Sequence, residues 1–182
     1  MPKLHYNAPA ILTFSILALA VHLLPFFGDL FKVPGRGNFS LFNPLDYVTL
    51  FTHVLGHGGW EHLFGNLTFI LLLGPMMEKD HGSGQMTAMI FTTALATGLV
   101  NILISPHYLM GASGIVFMLI VLSSIVEVRK GKIPLTFILI AFIFIGKEIT
   151  DAVLQKDDSI SQMAHIVGGI VGTIFGFNLR KD

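Results

Sequence analysis

Residues 111 to 130 read GASGIVFMLIVLSSIVEVRK. A serine set among small residues opens an apolar run from Ile115 to Val126 that only Ser123 and Ser124 interrupt. Glu127, Arg129 and Lys130 then close it. Such a stretch is a helix that starts beneath one face of a bilayer and ends in charge at the other. Comparable apolar stretches lie on both sides of it, so the candidate spans are residues 9–28, 48–74, 86–104, 113–128, 133–154 and 160–178. They predict an all-α polytopic membrane protein, a compact bundle of six transmembrane helices forming a single domain over residues 1–182.

Composition points the same way. The chain is 53% hydrophobic and 12% charged, with a mean hydropathy of +0.74, which a soluble domain could not cover with polar surface. Eleven basic residues balance eleven acidic ones, leaving no field to attract nucleic acid. The absence of cysteine excludes a disulfide framework, a thiol nucleophile and a cysteine-ligated metal.

The first stretch carries an imitation of a leader cleavage site, Ala18-Leu19-Ala20. Its apolar character continues through Val21, Leu23 and Leu24, and only Lys3 precedes it, so a membrane span is expected. With the N-terminus inside, cytoplasmic segments hold Lys3, Lys79, Arg129, Lys130, Lys132, Arg180 and Lys181. Lys32, Arg36, Lys147 and Lys156 lie outside. Seven basic residues against four put both termini in the cytoplasm, and a bacterial cytoplasmic (inner) membrane is the expected location. The long polar connection from Phe26 to Tyr47 reads as an external element at the interface.

Polar residues within spans are costly, so each is a functional candidate. Sixteen residues separate Ser113 from Arg129, about 24 Å of helix. Fifteen separate His165 from Arg180, about 22 Å. On the second span, which runs the other way, sixteen separate His62 from Glu78, again about 24 Å, with Asn66 one turn deeper. A hydroxyl, an imidazole and an imidazole-amide pair thus reach one level, on the external side of the bilayer centre.

Ser105-Pro106 and His107 make a re-entrant approach to Gly111-Ala112-Ser113-Gly114, where a helix starts. Unsatisfied N–H groups there can stabilise negative charge on a carbonyl oxygen. Ile115 follows Gly114, so this is not the G-x-S-x-G elbow of the α/β-hydrolases. On the sixth span His165, Gly168, Gly172 and Gly176 share one face able to approach another helix closely. If that helix is the fourth, His165 can take the Ser113 proton during nucleophilic attack. No carboxylate lies within a turn of His165 in sequence, which predicts a dyad. On the second span His53 and His57, then His62 and Asn66, stand four apart, and the latter pair can donate to an oxyanion.

HGGWEHLFGN (His57 to Asn66), GASG (Gly111 to Gly114) and AHIVGGIVG (Ala164 to Gly172) together resemble the signatures of the rhomboid proteases, in the family's order, over roughly residues 44–178. The resemblance implies an intramembrane serine endopeptidase cleaving single-span membrane proteins within the lipid bilayer. Its catalytic dyad would be Ser113 and His165, with His62 and Asn66 at the oxyanion and no metal or other cofactor. Glu78 matches a family acidic position with a structural role. Two departures stand out. The family's Trp-Arg pair of the first external loop is replaced by Asp46-Tyr47-Val48-Thr49. Phe117 occupies a place where many members have a Tyr, which preserves stacking on the histidine and loses a hydroxyl.

Two other readings compete. A non-catalytic rhomboid-like protein could bind client helices, against which the intact Ser113 and His165 count. A metal transporter could use His53, His57, His62, His107 and His165, but Glu61 is the only carboxylate near them in sequence and H-E-x-x-H is missing. The methionines, Met86, Met89 and Met118 among them, read as packing residues. Lys147, Glu148 and Asp151 read as a solvated end of the fifth span that can also border a substrate gate.

Overall fold

The first helix needs a partner for its start. In the computed structural model, which describes residues 3–129, 131–132, 135, 138–139, 142–143 and 159–178, α1 (Pro9–Leu23) begins with a proline and no side-chain cap of its own. Glu78 supplies the cap from another helix. Its Oε1 accepts from the Ala10 N–H at 2.8 Å and its Oε2 from the Ile11 N–H at 3.0 Å. A carboxylate at a helix N-terminus satisfies orphan donors and complements the dipole. Glu78 is buried, in the structural role expected of it. The contact also sets the start of α1 beside the end of α3 (Trp60–His81), so the two helices run antiparallel.

The expected stretch 48–74 is not one helix. It contains α2 (Pro44–Thr52), a 3₁₀ turn (His53–Leu55), a break at residues 56–59, and then α3. Gly56, Gly58 and Gly59 permit the break; a Cβ at Gly56 would fall 2.5 Å from the Phe31 carbonyl oxygen. His53 and His57 therefore do not share a helical face, whereas His62 and Asn66 do. At its other end α3 runs through Pro75 to His81. Neighbouring helices make a proline tolerable in a membrane helix. Gly74, beside the proline, receives Ile11 of α1 so closely that a Cβ there would fall 2.5 Å from Ile11 Cδ1.

Helix α2 is amphipathic in the reverse sense. Asp46, Thr49 and Leu50 are buried against the protein, while Leu45 and Val48 face outward, and Leu41 and Phe42 project from the preceding turn. Water would not favour such a face; lipid does. The loop carrying it is tied by Asp46, which accepts from the Ser40 N–H and Asn43 Nδ2, and by Tyr47, whose hydroxyl donates to the Leu41 carbonyl. Those bonds anchor the loop in the stretch that lacks the family's Trp-Arg pair.

Gly82, at φ +84°, ends α3 and caps α4 (Ser83–Ile104). Among the described residues α4 is the helix long and apolar enough to cross a membrane on those two criteria alone; α1 and the apolar part of α5 (Ser113–Arg129) are shorter. The last helix, α6, spans Ser159–Asn178. The expected fifth span, residues 133–154, lies for the most part outside the described residues, as do Lys147, Glu148 and Asp151. The described elements are helical apart from one isolated bridge between Val33 and Leu109.

Helix α5 sits at the centre. Ile115, Met118, Leu119 and Leu122 are fully buried, and Ile70, Met77, Met86 and Met89 join them in one core. Methionine thus fills space between helices. Helix α6 packs along α5 in parallel register: Gly168 lies on Gly114, Gly172 on Met118 and Gly176 on Ile125. A Cβ at Gly168 would overlap the Gly114 carbonyl oxygen, and one at Gly172 would fall 2.5 Å from the Met118 carbonyl oxygen. Gly169, on the neighbouring position, has only Val121 Cγ2 at 3.6 Å, an ordinary contact. Gly168→Ala is therefore expected to destabilise the protein by about 1–3 kcal/mol, the range for overpacking, while Gly169→Ala is neutral. Thermal unfolding in detergent compares the two.

Candidate active site

The turn that introduces α5 is suspended from its neighbours by polar contacts. Leu109 exchanges two 3.0 Å backbone hydrogen bonds with Val33. Asn101 Nδ2, from α4, donates to the Pro34 carbonyl at 3.1 Å and the His107 carbonyl at 3.0 Å. The Gly111 N–H donates to the His53 carbonyl at 2.9 Å. His53 is itself fully buried, with Nδ1 donating to the Thr49 carbonyl at 3.0 Å and Nε2 3.2 Å from Thr97 Oγ1. Several backbone groups of the loop of residues 105–112 thus find partners within the bundle, which irregular chain at membrane depth needs.

Gly111 is at φ +128°, a region unfavourable to other residues. The ring of His62 presses on it from α3: a Cβ at Gly111 would fall 2.6 Å from His62 Cε1 and 2.8 Å from Nε2, with Nδ1 farther away at 3.8 Å. Only glycine allows both the turn and the close imidazole. Met110, in the same turn, packs on the break before α3, its Cε 3.1 Å from where a Cβ of Gly58 would lie.

Ser113 is the first residue of α5 and half-buried. The Val116 N–H bonds to the Ala112 carbonyl at 3.0 Å, so the amides of residues 113–115 stand at the open end of the helix. One turn on from Ser113, Phe117 stacks on His165, with ring centroids 4.3 Å apart and planes inclined by 10°. The stacking foreseen for a phenylalanine at this position is present. The parallel register of α5 and α6 extends the same relation backward. His165 precedes Gly168 by three residues, as Gly111 precedes Gly114, which sets the buried imidazole at the level of the serine turn.

The other two site candidates lie on α3. His62 borders Gly111 as described, and Asn66, one turn deeper, is buried with its Nδ2 lacking a hydrogen-bond partner among the described residues. A buried amide donor held open is costly unless something needs it. It is the state expected of a group that donates to an oxyanion only during reaction. His107 is exposed in the re-entrant loop, and no three histidine or acidic side chains form a metal-holding group among the described residues.

Sequence reasoning overlooked the supports of this site. Thr93, Thr97 and Asn101 are spaced by four along α4 and all three are buried. That polar stripe was visible in the sequence as a helical face. Its meaning required knowing which loop lay opposite.

These features define a class, a helical membrane bundle in which a re-entrant loop leads into a helix headed by serine. Comparison with known proteins agrees. A sequence profile described as Rhomboid domain matches residues 44–182. Rhomboid-like protein 11, chloroplastic, of Arabidopsis thaliana is 24% identical over 96% of this chain and 67% of its own length. Rhomboid-related protein 1 of Caenorhabditis elegans is 31% identical over 66% of this chain and 36% of its own length. Rhomboid protease GlpG of Haemophilus influenzae is 27% identical over 72% of this chain and 70% of its own length. The chain belongs to the rhomboid family, whose members are integral membrane proteins.

Asn101→Ala removes both side-chain bonds to the loop. Each such bond is worth about 1 kcal/mol, so amide exchange at Leu109 and Gly111 should accelerate roughly tenfold or more, measured by hydrogen exchange.

Proposed function

We propose that the chain is an intramembrane serine endopeptidase that cleaves single-span membrane proteins with a dyad of Ser113 and His165. The observation that carries this reading is the stack of His165 on Phe117, one turn from the serine, on two helices locked together through glycine.

Ser113 Oγ attacks the carbonyl carbon of the scissile peptide while His165 accepts its proton. The negative charge that develops on the carbonyl oxygen is met by donors from Asn66, His62 and the Ser113 N–H. His165 returns the proton to the leaving amine. Water then attacks the acyl-enzyme with His165 again as base, releasing the second product and restoring the serine. Phe117 supports the imidazole by stacking and offers no hydroxyl of its own.

The substrate is taken to approach from the lipid between the second and fifth spans, unwinding near its outer end. Unwound backbone in hydrocarbon needs partners, which favours segments with helix-breaking or small residues there. The protein acts as one membrane domain over residues 1–182, with both termini cytoplasmic and the bacterial inner membrane as its location. No metal or other cofactor takes part in this scheme.

Some relatives are named as proteases and others only as rhomboid-like or rhomboid-related. A protein that only binds client helices would leave them intact. In a cleavage assay on a panel of single-span proteins, wild-type protein is expected to cut at least one. Ser113→Ala and His165→Ala should each lower the rate by roughly 10⁴-fold or more with an unchanged unfolding temperature. Retained cleavage in either variant rejects the dyad.

A further inference from the structure

Helices α1 and α4 border a groove of about 550 Å³ that takes no part in the mechanism above. Its rim lies where both helices start, at Pro9 and Thr13 of α1 and at Ser83, Gly84 and Thr87 of α4. The deeper walls are Phe14, Leu17, Ile90 and Ala94, and Phe51, Val54 and Leu55 close the far end. Two contacts put that end in the interior of the bundle. Leu50 lies against Gly98, well along α4, and Leu55 packs with Ala18, well along α1. From Pro9 to Leu17 the groove follows about 12 Å of helix.

Polarity is graded along this length. Three hydroxyls, of Thr13, Ser83 and Thr87, stand at the rim. Thr13 Oγ1 lies 2.9 Å from the Tyr6 hydroxyl, and Thr87 donates to the Ser83 carbonyl at 2.8 Å. Below them the lining side chains are apolar. A polar end where the helices start and an apolar end within the bundle match a lipid standing in one leaflet.

Size and chemistry select the occupant. A helix about 10 Å across would displace roughly 900 Å³ over that length, more than the groove holds. Water finds no partners on apolar walls, and such cavities stay dry. Left empty, the groove would forfeit the dispersion contacts of its lining. For a member of an integral membrane family the remaining candidate is the hydrocarbon chain that surrounds it.

We propose that the groove holds one acyl chain of a resident phospholipid, whose polar end lies at the rim of Thr13, Ser83 and Thr87. Its walls come from α1, from α4 and from the segment around the 3₁₀ turn, so a chain within it is held from several sides. Lipid on the outward faces has no such enclosure and exchanges freely. The site is separate from the proposed dyad and stands whether or not the protein cleaves substrates.

The test uses the full-length protein, reconstituted in vesicles of phosphatidylethanolamine and phosphatidylglycerol, then extracted and washed repeatedly in mild detergent. Native mass spectrometry counts the phospholipid that stays bound. Wild type is expected to keep one molecule. Gly84→Leu narrows the rim without a clash, because a Cβ there meets nothing within 4 Å, and should lose most of it. Gln85→Leu adds the same side chain at an exposed position outside the groove and should retain it. Position is read with a phospholipid that carries a diazirine midway along one chain, photolysed after the washes. Adducts are expected on groove residues such as Leu17, Phe51 and Ile90, and not on the outward-facing Ile16 and Leu103.

A wild type that retains no phospholipid overturns the proposal. So does equal retention in Gly84→Leu, and so do adducts confined to outward positions. Should Gly84→Leu not fold, retention and adduct position in wild type still decide.

Discussion

Two backbones approach each other at Gly114 and Gly168 more closely than any side chain would permit. In lipid there is no hydrophobic force to press helices together, so van der Waals contact between small-residue faces has to hold them. The glycines of α6 provide such a face, and the Gly114 to Met118 stretch of α5 accepts it. Everything proposed for the chemistry depends on this seam. It fixes the axial register of the two helices, and through the register it brings His165 level with the turn that carries Ser113. The Phe117 stack then sets the rotation of the imidazole. A single added methyl group at Gly168 would act on the geometry of a reaction centre about one turn away.

The re-entrant loop poses a different physical problem. Residues 105–112 are irregular chain within a bundle that belongs in hydrocarbon, and each free backbone group would cost several kcal/mol there. The solution is a ring of polar supports from three directions: Asn101 from α4, the carbonyl of His53 from the 3₁₀ turn, and Val33 from the external loop. Those supports are themselves buried and bonded, so the cost is met locally. Asn66 and His57 stand apart from this pattern, each with an open polar atom close to the chemistry. A buried polar atom left without a partner is costly, so such an atom beside the proposed site calls for an explanation.

Much of this was readable from the residues alone, and the rest was hidden for identifiable reasons. The glycine spacing after His165 and the start of a helix at Ser113 are local patterns, and counting residues to the charged ends set their common level without any knowledge of packing. Glu78 could be given only a structural role in general terms; that it caps α1 depends on a contact between residues far apart in the chain. The break at residues 56–59 was masked because Val54 and Leu55 continue the apolar run of α2, so hydropathy saw one span where the backbone makes two helices. The candidate span stopped at residue 74, whereas α3 runs on through Pro75 to His81. Asp46 was noted as a departure from a family pattern, and only the fold showed it tying its own loop.

The proposed dyad requires that Ser113 be unusually nucleophilic and that His165 be the cause. Reaction of the purified protein with a serine-directed fluorophosphonate, followed by mass spectrometry, tests this without any assumption about the substrate. The account predicts a single adduct on Ser113 that forms readily in wild type and almost vanishes when His165 is replaced by alanine. An adduct on a different serine, or equal labelling of Ser113 with and without the imidazole, would contradict it.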